Sequence, residues 1–401
     1  MTNQFCIVLT DFQPVLMRPP IRQEKVLEYT TWLLATVRCL NEHVTSPEQV
    51  ANIFGQVQGL MNRFGTSPDV ISQRQLVVIP PFVAEATRDA FERELPPLLD
   101  NMRDDPHGRQ LDVRLRTYRE IVYGFLERVY AAETVPPDDV IHVSCTGYLS
   151  PSPVERFYSD KGWLQTTITH SYQMGCYGAF PAVRMATGFM SSAYLQMMAP
   201  KKRIDIVHSE LSSLHFNLLN QTPGNLITMS LFSDGLIKYT AMPLEEVERQ
   251  EKHGLRVLAL SEHLLPDSQE DMTLEPGPYR FDMYLSKNVP QLIQQSIYPF
   301  VVNLCRQGGI DFEAEKENLV YAIHPGGSKI LDCIRDRLGI CEEKMVLSRR
   351  ILHQYGNMAS ATVPHIWKAI VEDETIAAGT KIVSTGFGPG LTTTGVILEK
   401  V

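Results

Sequence analysis

The chain has 401 residues, 44% hydrophobic and 21% charged, with a net charge of −9. That length buries a sizeable core and allows two domains or a duplicated one, while the negative charge argues against nonspecific binding to nucleic acid or an anionic membrane. The seven cysteines (Cys6, Cys39, Cys145, Cys176, Cys305, Cys333, Cys341) are scattered and contain no C-x-x-C pair, which argues against a zinc site or disulfide framework and fits a reducing cytoplasm.

The N-terminus shows no charged segment followed by a long apolar one, so no signal peptide is read there. Phe5 to Thr10 is predicted as a strand, broken by Arg18-Pro19-Pro20. Helices are predicted over Gln23–Leu40, Pro47–Phe64, Ala84–Leu95 and, from apolar residues recurring every three or four positions, Gln110–Glu133. Asn101 to Arg109, charged and with a proline and a glycine, reads as a surface loop. Val140–Cys145 and Ile204–Ser209 read as buried strands flanking a long apolar helix from Phe180 to Met198. That run includes Arg184 and is read as a core helix, not a membrane span. Leu226–Phe232 and Ile237–Met242 look like a hairpin around Ser233-Asp234-Gly235. A second series begins near Arg256: a strand at Val257–Ser261, a helix at Val289–Arg306, a strand at Tyr321–His324, helices at Ser328–Leu338 and Asn357–Glu372, and strands at Lys381–Thr385 and Gly395–Glu399. Alternating strands and helices imply an α/β protein, and two similar series hint at a duplication.

Four segments could carry chemistry. Cys176 lies in Ser171-Tyr172-Gln173-Met174-Gly175-Cys176-Tyr177-Gly178, just ahead of the apolar helix. The positive end of that helix and its free N–H groups favour thiolate, the nucleophilic form. Most free cysteines are inert packing, so the rest of the chain must decide. His324-Pro325-Gly326-Gly327 ends a strand and faces a cleft or a simple turn with equal weight. Asn357, in Gly356-Asn357-Met358-Ala359, reads first as a helix N-cap and second as a donor to a developing oxyanion. Gly386-Phe387-Gly388-Pro389-Gly390 lets backbone approach a ligand closely, or is an ordinary inter-strand loop; it is not a phosphate loop, since no lysine follows. Cys145, at the end of a strand, is the rival nucleophile but lacks a helix start and ranks as packing near the site. No G-x-S-x-G occurs, so serine hydrolase chemistry has no support.

Together these segments resemble the thiolase superfamily, and most closely the type III polyketide synthase (chalcone synthase-like) family. The resemblance rests on Tyr172-Gln173-Met174-Gly175-Cys176, His324-Pro325-Gly326-Gly327, Gly356-Asn357-Met358 and Gly386-Phe387-Gly388-Pro389-Gly390, in that order. Val143-Ser144-Cys145-Thr146, Ser209-Glu210 followed by Phe216, and Leu265-Pro266-Asp267-Ser268 match as well, so it covers roughly residues 140 to 401.

The resemblance implies a thiolase-like αβαβα five-layered fold from two duplicated halves, residues 1–246 carrying the nucleophile and 247–401 carrying His and Asn. It implies Cys176 as the acyl-accepting nucleophile, with His324 and Asn357 forming the oxyanion hole and assisting decarboxylation of a malonyl-type extender. It places substrate against Phe216 (an aromatic gatekeeper), Met283 (where the family usually has Phe), Cys145, Thr146, Ala359 (where a serine is common) and the Gly386, Phe387, Gly388, Pro389, Gly390 loop. It implies no metal and no cofactor beyond acyl-thioester substrates, a homodimer, and a cytoplasmic location. A residue of the loop after Cys145, near Ser152, would reach the neighbouring subunit's cavity. Between Pro47 and Arg74 only Arg63 and Arg74 answer to the family's basic cluster for coenzyme A phosphates, so an acyl carrier protein is an equally good donor. The implied activity is Claisen condensation followed by closure to an α-pyrone or related ring. Alternatives are a carrier-dependent ketosynthase or acyltransferase giving a linear product, and a non-catalytic ketosynthase-like partner.

Overall fold

Alternate residues along the central strands feed two different cores, and this alternation fixes the layering. The computed structural model describes residues 5–86, 91, 95–96 and 98–401. Its strands, in chain order, are β1 (Ile7–Pro14), β2 (Ile21–Arg22), β3 (Gln73–Arg74), β4 (Asp139–Ser144), β5 (Thr167–Tyr172), β6 (Ile204–Glu210), β7 (Gly235–Pro243), β8 (Leu255–Leu264), β9 (Met272–Pro276), β10 (Phe281–Leu285), β11 (Val320–Ile323), β12 (Lys381–Gly388) and β13 (Thr392–Lys400). Nine of them form one mixed sheet in the order β11-β12-β13-β8-β1-β7-β6-β4-β5.

Ile141, Val143, Ile206, Ile237 and Tyr239 point to the same core as Ala322, Ile382, Val396 and Leu398. Their neighbours point away: Val140, Val207 and Leu236 to one outer core, Tyr321, Ile323, Val383 and Ile397 to another. Between the two half-sheets lie the helices Ala179–Tyr194 and Thr362–Glu372. The first presents Ala179, Ala182 and Ala186 among its buried residues, small enough for a helix covered on both sides. Outside the first half-sheet pack Gln23–Asn41, Pro47–Phe64, Leu111–Val129 and Pro153–Asp160; outside the second pack Val289–Gln307 and Ser328–Leu338. The five layers are therefore α, β, α, β, α.

The halves repeat one topology. β4 runs parallel to β6, which pairs antiparallel with β7, and β7 with β1. Likewise β11 runs parallel to β12, which pairs antiparallel with β13, and β13 with β8. The seam between halves is short: β1 meets β8 only at Val8↔Arg256 and Leu9↔Leu255. The division at 246/247 falls inside the helix Leu244–Arg249.

Several expectations are corrected. Leu226–Phe232 is not a hairpin strand: Pro223–Leu231 is a helix with proline in its first turn and Leu226, Met229 and Ser230 buried. Asp234, expected in the hairpin turn, instead accepts hydrogen bonds from the main chain of Val77 (2.6 Å) and Ser213 (2.9 Å). The helix expected from Asn357 begins at Thr362, after a short 3-10 turn at Ala359–Ala361. Gly386, Phe387 and Gly388 are the end of β12, not a loop. The helix expected over Ala84–Leu95 lies mostly outside the described residues. β5, β9, β10 and the helices Pro153–Asp160 and Val346–Tyr355 are additional.

Candidate active site around Cys176

Cys176 sits in a 3-10 turn, Gly175–Tyr177, that leads into the central helix. Gly175 has φ +65°, and a Cβ there would lie 2.6 Å from Pro389 Cδ. On the facing strand a Cβ at Gly386 would lie 2.5 Å from the Phe180 ring, and one at Gly388 2.3 Å from the Tyr177 ring. These glycines let the end of β12 lie directly on the nucleophile turn. What they approach is the protein's own chain, where close passage to a ligand was the expectation.

A cavity of about 460 Å³ opens beside this turn. Cys145, Thr146, Cys176, Phe216, Met283, Ala359 and Pro389 all line it, so seven residues singled out from the sequence converge. Gly386, Phe387, Gly388 and Gly390 do not line it, nor are Asn357 and His324 among its lining residues, and Phe387 is packed into the second outer core. Additional lining comes from His215, Met229, Phe232, Met272, Leu274 and Phe281, which drew no attention in the sequence. Met272, Leu274 and Phe281 come from the β9–β10 pair, whose register sets Met283 opposite Leu274.

Asn357 is not a cap. Its N–H donates to the Leu231 carbonyl (3.0 Å), its carbonyl accepts from Ser233 N–H (2.8 Å), and its Oδ1 accepts from Ala359 N–H (2.9 Å). With Oδ1 held this way, the amide reaches the Cys176 sulfur and hydrogen-bonds to it. His324 follows β11, its N–H donating to the Thr385 carbonyl (2.8 Å) one residue before Gly386. Its ring is 1% exposed, and neither ring nitrogen has a hydrogen-bond partner. A buried imidazole left unsatisfied costs free energy, and such costs persist at sites kept for a ligand.

The expected thiolate is not favoured. Burial pushes the Cys176 thiol up to about 12, with the Glu210 charge adding to it, and the Asn357 hydrogen bond offsets only part. Burial likewise holds His324 down at about 3. The resting groups are a neutral thiol and a neutral imidazole; desolvation outweighs the helix end. Cys145 is also protonated: burial and Glu210 raise it well above an ordinary thiol, and its Sγ–H donates to Glu210 at 3.3 Å. That bond makes it packing beside the site.

Glu210 is the residue that sequence reasoning passed over, quoting it only within a motif. It ends β6, is fully buried, and accepts from Cys145 N–H (3.1 Å), Thr146 Oγ1 (2.9 Å) and Ser360 Oγ. An acid closing an otherwise buried strand was the available signal. His215 is fixed too: its Nδ1 accepts from Phe281 N–H (3.0 Å), so Nε2 carries the proton and donates to the Thr146 carbonyl (2.7 Å). Ser152, expected near a partner's cavity, is buried and caps Pro153–Asp160.

Arg74 contributes nothing to a phosphate-binding patch. It is fully buried, donating to Gln23 Oε1 (2.8 Å) and to the carbonyls of Met229 (2.8 Å) and Phe232 (2.6 Å). It thus caps the helix Pro223–Leu231 and fixes the segment that binds Asn357. Replacing it by methionine, of similar length, leaves these acceptors buried and unpaired. A loss of about 3 kcal/mol in urea unfolding is expected, and a loss under about 1 kcal/mol would refute this role. Among the described residues lining the cavity there is no lysine or arginine, whereas Glu275 and Asp282 are present. No group of described residues could hold a metal ion, and no described helix is long and apolar enough to cross a membrane.

Comparison with known proteins places the fold. Residues 257–401 match the family model of chalcone and stilbene synthases, C-terminal domain. The chain is 28% identical over 256 residues to 1,3,6,8-tetrahydroxynaphthalene synthase of Streptomyces coelicolor, a stretch covering 64% of each chain. Among solved structures, PKS-I of the brown alga Ectocarpus siliculosus superposes with a TM-score of 0.80 at 20% identity, covering 100% of both chains. The crystal structure of the Streptomyces coelicolor synthase gives 0.72 at 21% identity, covering 98% of this chain and 99% of that one. Residues 257–401 thus match the C-terminal domain of chalcone and stilbene synthases, and the chain as a whole has the thiolase-like fold seen in solved type III polyketide synthases.

Proposed function

We propose that the chain is a type III polyketide synthase-like condensing enzyme with Cys176 as its acyl carrier. The observation that carries the proposal is the Cys176 thiol opening on a largely apolar 460 Å³ cavity with the Asn357 amide bonded to it. An acyl thioester enters, Cys176 Sγ attacks its carbonyl, and the thiol proton passes to His324, a neutral base with no other partner. The carrier thiol leaves with that proton, and Cys176 holds the acyl group. A malonyl thioester then loses carbon dioxide. Its enolate oxygen is held by N–H groups of Asn357 and His324, and its carbon attacks the acyl carbonyl, displacing the Cys176 thiolate. Closure to an α-pyrone or related ring is the proposed fate of the product. The Streptomyces relative is by name a naphthalene-forming synthase.

The donor is gripped by its uncharged arm, common to coenzyme A and acyl carrier proteins. Asn217, Asn220, Asn225 and Thr228 line the cavity, and among the described residues no lysine or arginine does. Incubation with hexanoyl thioesters of coenzyme A and of N-acetylcysteamine, followed by digestion and mass spectrometry, should place the acyl group on the peptide containing Cys176. An adduct on Cys145 instead, or none, would overturn the proposal.

Assembly as a homodimer belongs to the same proposal. β5 is the outer strand of the sheet, with one edge unpaired, and Tyr148 and Leu164 nearby are 63% and 72% exposed. Sedimentation should give twice the 45.3 kDa chain mass; a purely monomeric species at micromolar concentration would refute it.

A further inference from the structure

The lining around Cys176 combines thioethers, one leucine and aromatic rings: Met229, Met272, Met283 and Leu274, with Phe216 and Phe232. Several polar groups of the lining are already bound within the protein. Thr146 Oγ1 donates to Glu210 and accepts from Leu211 N–H (2.8 Å), the Cys145 thiol donates to Glu210, and both nitrogens of His215 are bonded to main chain. Asn217, Asn225 and Thr228, on residues leading into and along the helix Pro223–Leu231, are bound too: Asn217 Nδ2 donates to Asp282 Oδ1 (3.0 Å), Asn225 Nδ2 to the Asn217 carbonyl (2.8 Å) and Thr228 Oγ1 to the Gly224 carbonyl (2.9 Å).

A starter acyl group bearing hydroxyls would have to desolvate them beside Met229, Met272, Leu274 and Met283, which offer no donor and no strong acceptor. A flexible chain has no such cost, and unbranched methionines adapt to its bends. Three thioethers among the cavity's lining residues favour a ligand without fixed shape; a rigid planar ring is better held by rigid walls. At ~30 Å³ per water-sized group, 460 Å³ holds roughly fifteen such groups, enough for a chain of about ten carbons and the near part of its carrier arm.

We infer that the starter loaded on Cys176 is an unbranched aliphatic acyl group of medium length, and that Met283 sets how long it can be. This rests on Cys176 being the acyl carrier, as proposed above. Met283 carries the length limit because it touches both the Cys176 cluster and the second outer core, so its side chain closes the cavity toward the C-terminal half.

Four thioesters of coenzyme A test it: hexanoyl, decanoyl, benzoyl and cinnamoyl, with acylation of Cys176 timed by intact mass. The aliphatic pair should react at least tenfold faster than the aromatic pair. Equal or faster aromatic acylation overturns the inference while leaving Cys176 as the carrier. No acylation by any of the four overturns both. In Met283→Phe, with circular dichroism confirming an unchanged fold, the decanoyl-to-hexanoyl rate ratio should fall at least tenfold; an unchanged ratio removes Met283 from the assignment. Should that variant fail to fold, Met283→Ala gives the opposite reading, a raised ratio, and no rise would count against the inference.

Discussion

Cys176→Ala should retain the fold and lose condensation by on the order of 10⁴-fold or more, because no other group can carry the acyl chain. The substitution removes one sulfur from a turn held by glycines and Pro389, not by the thiol itself, so stability should change little. The neighbouring Cys145 cannot stand in. Its thiol is bonded to Glu210, and burial raises its pKa well above the usual range. Asn357→Ala should do less, lowering turnover by on the order of 10²–10³-fold, the usual cost of one oxyanion donor. Acylation should also slow, since the Asn357 hydrogen bond is the side-chain contact that draws the Cys176 pKa down. Single-turnover acylation followed by mass spectrometry separates the two variants. Product formed by Cys176→Ala at even a tenth of the wild-type rate would end the proposed mechanism.

Mild acid should unfold the protein. Burial holds His142, His208 and His324 at about 3, and His215 and His365 at about 4. All five lie below the ordinary histidine value, so the unfolded chain binds more protons. Their contribution to stability is complete above about pH 6.5 and is lost as pH falls toward 4 and 3. Each costs about 1.4 kcal/mol per pH unit in that window. By pH 5 the five together remove roughly 10 kcal/mol, comparable with the whole stability of a typical domain. Asp234 and Glu210 work in the opposite sense, since burial raises both, Asp234 to about 6, and their contribution grows as pH falls. Two such groups offset only part of what five histidines remove. A circular-dichroism titration should show a midpoint near pH 5, and cooperative structure persisting at pH 3.5 would contradict this account.

Much of the fold could be read in advance because it depends on local patterns. Pro47–Phe64 and Ser328–Leu338 fall where apolar spacing and terminal residues place them. Val289–Gln307 keeps its period through Pro299. Errors arose where tertiary partners decide. Leu226–Leu231 has apolar character compatible with either strand or helix, and its proline start and buried face settle it as helix. Asn357 looked like a cap because asparagine before a helix usually is one; its amide is instead held by Ala359 and turned to a sulfur far away in sequence. Arg74 looked like a surface cation because charge alone cannot reveal burial. The place of Cys176, in a glycine-flanked turn ahead of the central helix, was legible. Its protonation was not, since it depends on burial by walls that β9 and β10 help to build and on the Glu210 charge.

The narrow seam between β1 and β8 bears on how this architecture could work. Only two residue pairs stitch the half-sheets together, yet the sulfur belongs to one half and the amide that holds it to the other. Cohesion between the halves falls to the central core they share and to bonds such as Ser360 Oγ to Glu210 and Asn357 main chain to Leu231 and Ser233. A slip of a single ångström between the halves would stretch the Asn357 contact before it disturbed any strand ladder. The chemistry is thus the part of the molecule most sensitive to shear, and substitutions on Ala182, Ala186 or Ile366 would register first as slowed turnover, well before they register as melting.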